Sequence, residues 1–243
     1  MTSRFRAAGI HLLCSAMLAL GALSVVYLIW YPPPLAAASG VGHIFLTLLS
    51  VDVILGPLLT FVIYKKGKKN LRIDLTIIAI LQAAAFLYGM YTIAFARPAW
   101  IVFNVDRFDL VQVHELDTRY LPINPAFRHP SWGGPRWAAS QQPLDLEKRN
   151  QLIIESAVGG ADLPQRPDLY VPLEQEAGNV RTKAHPLQAL ALYNQPDLLH
   201  AVLSKWPEAD AWLPLMAKRR PMVVLLNRER SSAIAVVDLR PWN

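Results

Sequence analysis

Cysteine is almost absent from this chain, which contains only Cys14 among its 243 residues. A single cysteine excludes an intramolecular disulfide framework and a zinc site built on cysteine. The six histidines form no pair at i, i+4 spacing and no HExxH motif, and the chain has no GxSxG, P-loop or dinucleotide-binding motif. The sequence therefore predicts no catalytic residue, no metal site and no cofactor.

Charged residues are also scarce, and the shortage is uneven along the chain. They make up 17% of the residues, against about 25% in a typical soluble domain. Asp52 and Asp74 are the only acids before residue 97, whereas the remainder contains 17 basic and 16 acidic residues. Five of the six units of net positive charge therefore belong to the part of the chain before residue 97. A nucleic-acid-binding protein would carry its basic patch on a folded domain, so we expect no nucleic-acid partner and expect contact with anionic membrane lipids.

Long apolar runs are what the chain does have, at residues 7–31, 41–64 and 73–96. Each exceeds the roughly 20 residues that a helix needs to cross a bilayer. The first run could instead be a cleaved signal peptide, but such peptides have apolar regions of only about 7–15 residues. Trp30 and Tyr31, followed by three prolines, favour an uncleaved span that ends at the membrane surface. The predicted fold is a membrane protein with three N-terminal transmembrane α-helices in residues 1–97 and a small extracytoplasmic α+β domain in residues 98–243.

The basic residues near these runs predict the orientation of the protein. The loop between the first two runs, residues 31–42, carries no charge, whereas basic residues are concentrated before the first run and between the second and third. Because short cytoplasmic loops are rich in Lys and Arg, this pattern places the N-terminus in the cytoplasm and the C-terminal domain in the periplasm of a bacterial cell, with multiple passes through the inner membrane. The residues that carry this prediction are Arg4, Arg6, Lys65, Lys66, Lys68, Lys69 and Arg72.

The C-terminal domain has mixed helix and strand patterns, without an internal repeat. Trp100–Val113 has the composition of a strand, and the proline-rich residues 120–143 and residues 162–180 are expected to form loops. Leu144–Val158 is predicted to be a helix with Leu146, Ile153 and Ile154 on its apolar face. Shorter elements are predicted as helices at Pro186–Asn194 and Pro196–Trp206, and as a hairpin of Met222–Leu226 with Ala233–Leu239.

Asp52 is the most informative single residue, because a carboxyl group in the middle of a membrane span is costly and is usually paired or functional. Gln82 in the third run lies at a similar depth, so the two side chains could form a polar clamp between helices. The alternative is that they recognise a polar group on a partner helix. A catalytic pair of Asp52 and Asp74 is a third interpretation, but helix geometry separates these residues by about 15 Å in depth, far more than an aspartic dyad allows.

Tryptophan is frequent in the C-terminal domain, and Trp132 and Trp137 lie in its proline-rich segment. Core packing or contact with the membrane surface would explain both residues. A partner-binding surface is the alternative, since tryptophan is enriched at binding hot spots.

A series of short strings occurs in a fixed order along the chain: Gly9–Leu13, Trp30–Pro32, Val51–Asp52, Leu55–Thr60, Gly67–Leu75, Gln82, Tyr88–Tyr91, Arg97–Pro98, Val102–Phe103 and Val105–Phe108. Together these strings resemble the TfpX/TfpZ family of type IV pilin accessory proteins. The resemblance covers the membrane part and the first strand, and is weak in the rest of the C-terminal domain. It implies an inner-membrane protein that binds a specific type IV major pilin and assists or modulates its assembly, without catalysis. It also implies that the partner carries a glutamate in its membrane helix, which Asp52 and Gln82 could contact.

Two other functions fit a membrane protein of this organisation. A membrane enzyme that modifies or processes pilin would need a catalytic constellation, and the sequence shows none. A periplasmic ligand sensor would need an output domain in the cytoplasm, where only a short N-terminus and a short loop are predicted. No small-molecule substrate is identified by any motif.

Overall fold

The computed structural model describes residues 2–230 and 232–242. Three of its helices are long and apolar enough to cross a membrane: span 1 is Ser3–Trp30, span 2 is Val41–Ile63 and span 3 is Leu71–Phe95. They coincide with the three predicted runs, and a sheet domain with helices follows them, so the predicted fold class is confirmed.

The chain forms eight α-helices and eight β-strands within the described residues, and all the strands follow the third span. The helices are α1 (Thr2–Ser24), α2 (Leu35–Ser39), α3 (Val41–Ser50), α4 (Gly56–Ile63), α5 (Leu71–Phe95), α6 (Leu146–Ala157), α7 (Ala177–Lys183) and α8 (Pro196–Leu203). π-helical turns at Val25–Trp30 and Val51–Leu55 extend α1 and join α3 to α4. The strands are β1 (Pro98–Asn104), β2 (Arg107–Gln112), β3 (Arg136–Ser140), β4 (Tyr170–Val171), β5 (His185–Pro186), β6 (Ala211–Met216), β7 (Met222–Asn227) and β8 (Ser232–Val237). Short 3-10 helices lie at Val113–Glu115, Pro125–Phe127, Leu163–Gln165, Pro167–Leu169, Leu173–Glu176 and Leu187–Leu192.

Span 2 is the central helix of the membrane bundle. Span 1 packs on the second half of span 2, and span 3 packs on both halves of it. Glycine makes one of these contacts close, because a β-carbon on Gly89 would meet the side chain of Leu48. Spans 1 and 3 therefore flank span 2, and a groove opens between them.

The sheet domain is built on one mixed sheet with the strand order β4-β3-β1-β2-β6-β7-β8, and β5 pairs with β6 off this path. β1 and β3 run parallel, as do β2 and β6, and the remaining pairs are antiparallel. All seven residues of β1 are buried, as expected for a central strand covered on both faces. β1 begins at Pro98, directly after span 3, so the sheet starts at the membrane surface.

The loop between spans 1 and 2 forms part of the core of the sheet domain. Leu35 and Ala38 of α2 are buried in the same cluster as Phe103 and Leu213 of the sheet. The carbonyl oxygen of Ala38 accepts the backbone N–H of Arg219 at 3.0 Å, in the turn between β6 and β7. This loop and the sheet domain therefore lie on one side of the membrane, as a chain with three spans requires.

The structure differs from the predicted pattern at several elements of the sheet domain. The strand predicted at Trp100–Val113 is a hairpin, because the chain turns at Val105–Asp106. The predicted loops contain β3 and most of α7, and β6 was not predicted. The C-terminal hairpin of β7 and β8 is confirmed. α6 forms as predicted, but its predicted apolar face is exposed, and Leu152 is its buried residue.

Candidate functional site

A groove opens between spans 1 and 3 in the membrane part. It encloses a cavity of about 380 Å³ whose floor is Asp52 of span 2. Small side chains on both walls, including Cys14, Ser15 and Ala83, would let another helix approach closely. A second cavity shares His11, Cys14 and Ala79 with the first and continues the groove toward the basic turn between spans 2 and 3.

The backbone around Asp52 explains why Gln82 is held beside it. Pro57 has no N–H, so it cannot donate to the carbonyl oxygen five residues earlier, that of Asp52, as a π-helical turn would otherwise allow. The Nε2 of Gln82 donates to this carbonyl oxygen instead, at 3.4 Å. Gly56 leaves the space for it, because a β-carbon there would collide with the amide of Gln82.

The Asp52–Gln82 pair leaves two acceptors unused at the floor of the groove. Asp52 is only 8% exposed, and its Oδ2 has no hydrogen-bond partner among the residues that the structure describes. The Oε1 of Gln82 is also buried and has no hydrogen-bond partner among the described residues. A buried acceptor without a donor destabilises a protein, and it does so more in a membrane protein than in a soluble one. The floor of the groove is therefore suited to a group that donates a hydrogen bond.

His11 and Thr60 add a polar contact beside this floor that sequence reasoning missed. The Nδ1 of His11 in span 1 lies 2.6 Å from the Oγ1 of the buried Thr60 in span 2. The two residues are 49 positions apart, and no spacing in the sequence pairs them. Polar residues at matching depths of two spans were the only signal.

The other candidate residues, Trp132 and Trp137, are not part of this groove. Trp132 is 65% exposed and lies at the sheet-domain end of the bundle, where the guanidinium of Arg97 is 4.0 Å from its ring centroid. Its ring is also 6.1 Å from that of Trp30 at the end of span 1. Trp137 lies in β3, half-buried against Phe108 in the core of the sheet domain.

The basic residues that predict orientation lie at the opposite end of the bundle. The four lysines form an exposed turn between spans 2 and 3, and Arg72 follows in the first turn of span 3. Lys68 pairs with Asp74 at 2.6 Å. Arg4 and Arg6 begin span 1 at the same end, where the rings of Phe5 and Phe61 are 5.0 Å apart. One end of the bundle is thus basic and the other carries the sheet domain.

An ion-paired cluster secures α6 to the sheet domain. Arg119 donates to both carboxylate oxygens of the buried Asp117 at 2.7–3.1 Å, and these bonds hold the pKa of Asp117 below its usual range. Glu155 of α6 lies 3.7 Å from both Arg119 and Arg166. Among the described residues no group of His, Cys, Asp and Glu side chains could hold a metal ion.

Comparison with known proteins places the chain in a family. A family model described as "Fimbrial assembly protein FimB" matches residues 1–40. The fimbrial assembly protein of serogroup E1 from Dichelobacter nodosus is 32% identical over 238 residues, which cover 94% of this chain and 92% of that protein. This chain belongs to the fimbrial assembly protein family. The serogroup I member from the same organism is 34% identical with the same coverage. That of serogroups C1 and C2 is 35% identical over 116 residues, or 47% of this chain and 88% of that protein.

Family membership gives the role of this fimbrial assembly protein at a coarse level. It is a membrane protein with a C-terminal soluble domain, and it acts in fimbrial biogenesis. The relatives' names describe assembly rather than a reaction. No solved structure matches the chain.

Proposed function

We propose that this fimbrial assembly protein binds the major pilin of a type IV pilus in the bacterial inner membrane and assists or modulates its assembly. The resemblance to the TfpX/TfpZ family and the names of the relatives support a pilin as partner. The groove between spans 1 and 3 is the observation that carries the proposal. A pilin held in the membrane before assembly presents a helix, and the lining of the groove includes the small side chains of Cys14, Ser15 and Ala83, where a second helix can approach closely.

The polar floor of the groove gives this contact its specificity. A protonated glutamate in the pilin helix would donate a hydrogen bond to Oδ2 of Asp52 or to Oε1 of Gln82, the two acceptors that lack a partner within the described residues. In the absence of pilin, no donor among the described residues reaches either acceptor. Binding would therefore remove a cost that the free protein carries, which makes a polar contact more discriminating than an apolar one.

The membrane placement in this proposal follows from the charges. The basic turn and Arg4 and Arg6 lie at one end of the bundle, so the positive-inside rule assigns that end to the cytoplasm and the sheet domain, residues 98–243, to the periplasm. The protein acts by binding rather than by catalysis. The mass of the pilin is then the same with and without this protein.

Cys14 provides a direct test, because it is the only cysteine of the chain and lines the groove. Single cysteines placed along the membrane helix of the pilin are crosslinked to Cys14 in native membranes. We expect crosslinks at pilin positions three or four residues apart, because one face of a helix would lie in the groove.

The matched control moves the cysteine to a lipid-facing position outside the groove, in a Cys14→Ser, Leu20→Cys variant. Leu20 lies in the same span and is 63% exposed. Equal crosslinking from both positions, or none from Cys14, would contradict the proposal. In the same membranes, Asp52→Ala should reduce pilin co-purification and surface piliation, whereas Asp74→Ala, which removes a carboxyl group paired with Lys68 at the basic turn, should not.

A further inference from the structure

α6 presents an apolar stripe away from the protein. Leu146 and Ile153 are 67% and 59% exposed, and Ile154 beside them is exposed as well. Asn150 and Ala157 complete the row and are also exposed. The positions Leu146, Asn150, Ile153 and Ala157 are spaced by four, three and four residues, which is the a/d spacing of a coiled-coil seam.

The opposite face of α6 attaches the helix to the sheet domain. Leu152 is its buried residue, and Glu155 forms ion pairs with Arg119 and Arg166. Lys148 lines the cavity between α6 and residues 119–123. The helix is therefore fixed by one face, and its seam is free to meet another helix.

The direction of α6 follows from the strand that precedes it. β3 runs parallel to β1, which leaves the membrane at Pro98, so Ser140 lies at the end of the sheet away from the membrane. α6 begins six residues later and runs back toward the membrane. Glu155, near the C-terminus of α6, contacts Arg166. The neighbouring Gln165 accepts the backbone N–H of Asp117, which lies beyond the membrane end of β2. The seam thus runs toward the membrane rather than along its surface, so it is not placed to lie flat on lipid.

We propose that the α6 seam is the contact between two copies of this chain. Two copies inserted in one membrane with the same orientation are related by a two-fold axis along the membrane normal. Such an axis brings two α6 helices together side by side and parallel, seam against seam. This inference does not depend on the proposed function.

Asn150 is the residue that favours a second copy over another partner. A single asparagine at an a position of a parallel coiled coil pairs with its own symmetry mate, and it fixes the register and the number of helices. Opposite an unrelated apolar helix, the same amide would be buried without a partner, which is unfavourable. Self-pairing is the arrangement that satisfies it.

The size of the seam indicates a weak dimer. From Leu146 to Ala157 it is about 16 Å long, shorter than an isolated coiled coil needs. Leu144 and Val158, exposed at its two ends, would extend the apolar contact. Confinement in the same membrane raises the effective concentration of the partners, so a weak contact suffices.

Disulfide crosslinking in membranes tests the dimer. The full chain carries Cys14→Ser together with Asn150→Cys and is expressed in a host that has no pilus genes. We expect a disulfide-linked species with twice the mass of the chain, because position 150 lies on the two-fold axis. The control, Lys148→Cys in the same background, is exposed but lies off the seam, beside the cavity between α6 and residues 119–123, and should crosslink several-fold less.

A third variant separates a specific contact from collision. Ile153→Asp added to Asn150→Cys should lower the crosslinked fraction several-fold at unchanged protein level, since Ile153 is exposed and its replacement leaves the core intact. Equal crosslinking from positions 148 and 150, or no dimer from position 150, overturns the proposal. So does a crosslink from position 150 to pilin in place of the dimer when both proteins are present, and this last result would leave the groove as a separate question.

Discussion

The hydroxyl of Tyr31 donates a hydrogen bond to the carbonyl oxygen of Ile93 at 2.9 Å, which joins the end of span 1 to the end of span 3. Tyr31 is buried at the point where the loop enters the sheet domain. The bond therefore fixes spans 1 and 3 to each other at the sheet-domain end of the groove.

Tyr31→Phe should destabilise the folded protein by about 0.5–1.5 kcal/mol, because it removes one buried hydrogen bond and keeps the ring. Thermal unfolding in detergent measures the change as a lower Tm. Tyr88→Phe is the control, since Tyr88 is exposed on span 3. An equal effect of the two substitutions would show that the Tyr31–Ile93 bond contributes nothing particular.

Gly56→Ala should disturb the contact between spans 2 and 3, because the added methyl group collides with the amide of Gln82. Overpacking of this kind costs about 1–3 kcal/mol. Gly21→Ala, in open space on span 1, should be neutral or stabilise by up to about 1 kcal/mol, as alanine is the better helix former. Adding Gln82→Ala should recover much of the loss in Gly56→Ala, and strictly additive effects in this double-mutant cycle would exclude the collision.

Leu35→Ala should loosen the sheet domain although Leu35 lies between two membrane spans. Its side chain is buried in the sheet core, and truncation of a buried leucine costs about 2–5 kcal/mol. Limited proteolysis should then cut the sheet domain faster. Leu28→Ala, which alters an exposed leucine nearby, is the comparison, and identical proteolysis of the two variants would argue against the packing of α2 in the core.

Asp117 should make the stability of the sheet domain depend on pH. Hydrogen bonds from Arg119 lower the pKa of Asp117 in the folded protein, so its contribution is fully present above the unfolded carboxyl pKa of about 4. It is lost as the pH falls through the lower, folded pKa. Asp117→Asn should lower the Tm at pH 7, and the difference from the unaltered protein should shrink below about pH 4. Glu174→Gln, at an exposed position, is the control and should give no such pH-dependent difference in Tm. A difference in Tm for Asp117→Asn that is the same at every pH would refute the role assigned to Asp117.

The membrane part could be predicted closely because its signals are local. Length and apolarity define each span, and the depths of Asp52 and Gln82 follow from helix rise alone. The finer point, that Gln82 bonds the backbone carbonyl rather than the carboxylate of Asp52, depends on a π-helical turn that the sequence does not reveal. The structure thus joins the two residues of the predicted clamp, Asp52 and Gln82, but through the backbone carbonyl of Asp52 and not through its side chain.

The sheet domain was harder to predict because its determinants are distant in sequence. The turn at Val105 has a positive φ of 61°, which a β-branched residue rarely adopts, so the sequence predicts one strand where the structure has a hairpin. β6 contains Pro214, and it pairs with β2, which lies more than a hundred positions earlier in the chain. The apolar face of α6 obeyed the expected periodicity, but the periodicity cannot say whether such a face meets its own core or another molecule.

The insertion of α2 into the sheet core has a practical consequence for chimaeras within this family. A sheet domain transplanted from Pro98 onward would leave behind Leu35 and Ala38, which fill its core, and the backbone acceptor for Arg219. The exchangeable unit is therefore discontinuous: residues 31–40 must travel with the domain, while the two adjoining spans can stay with the recipient.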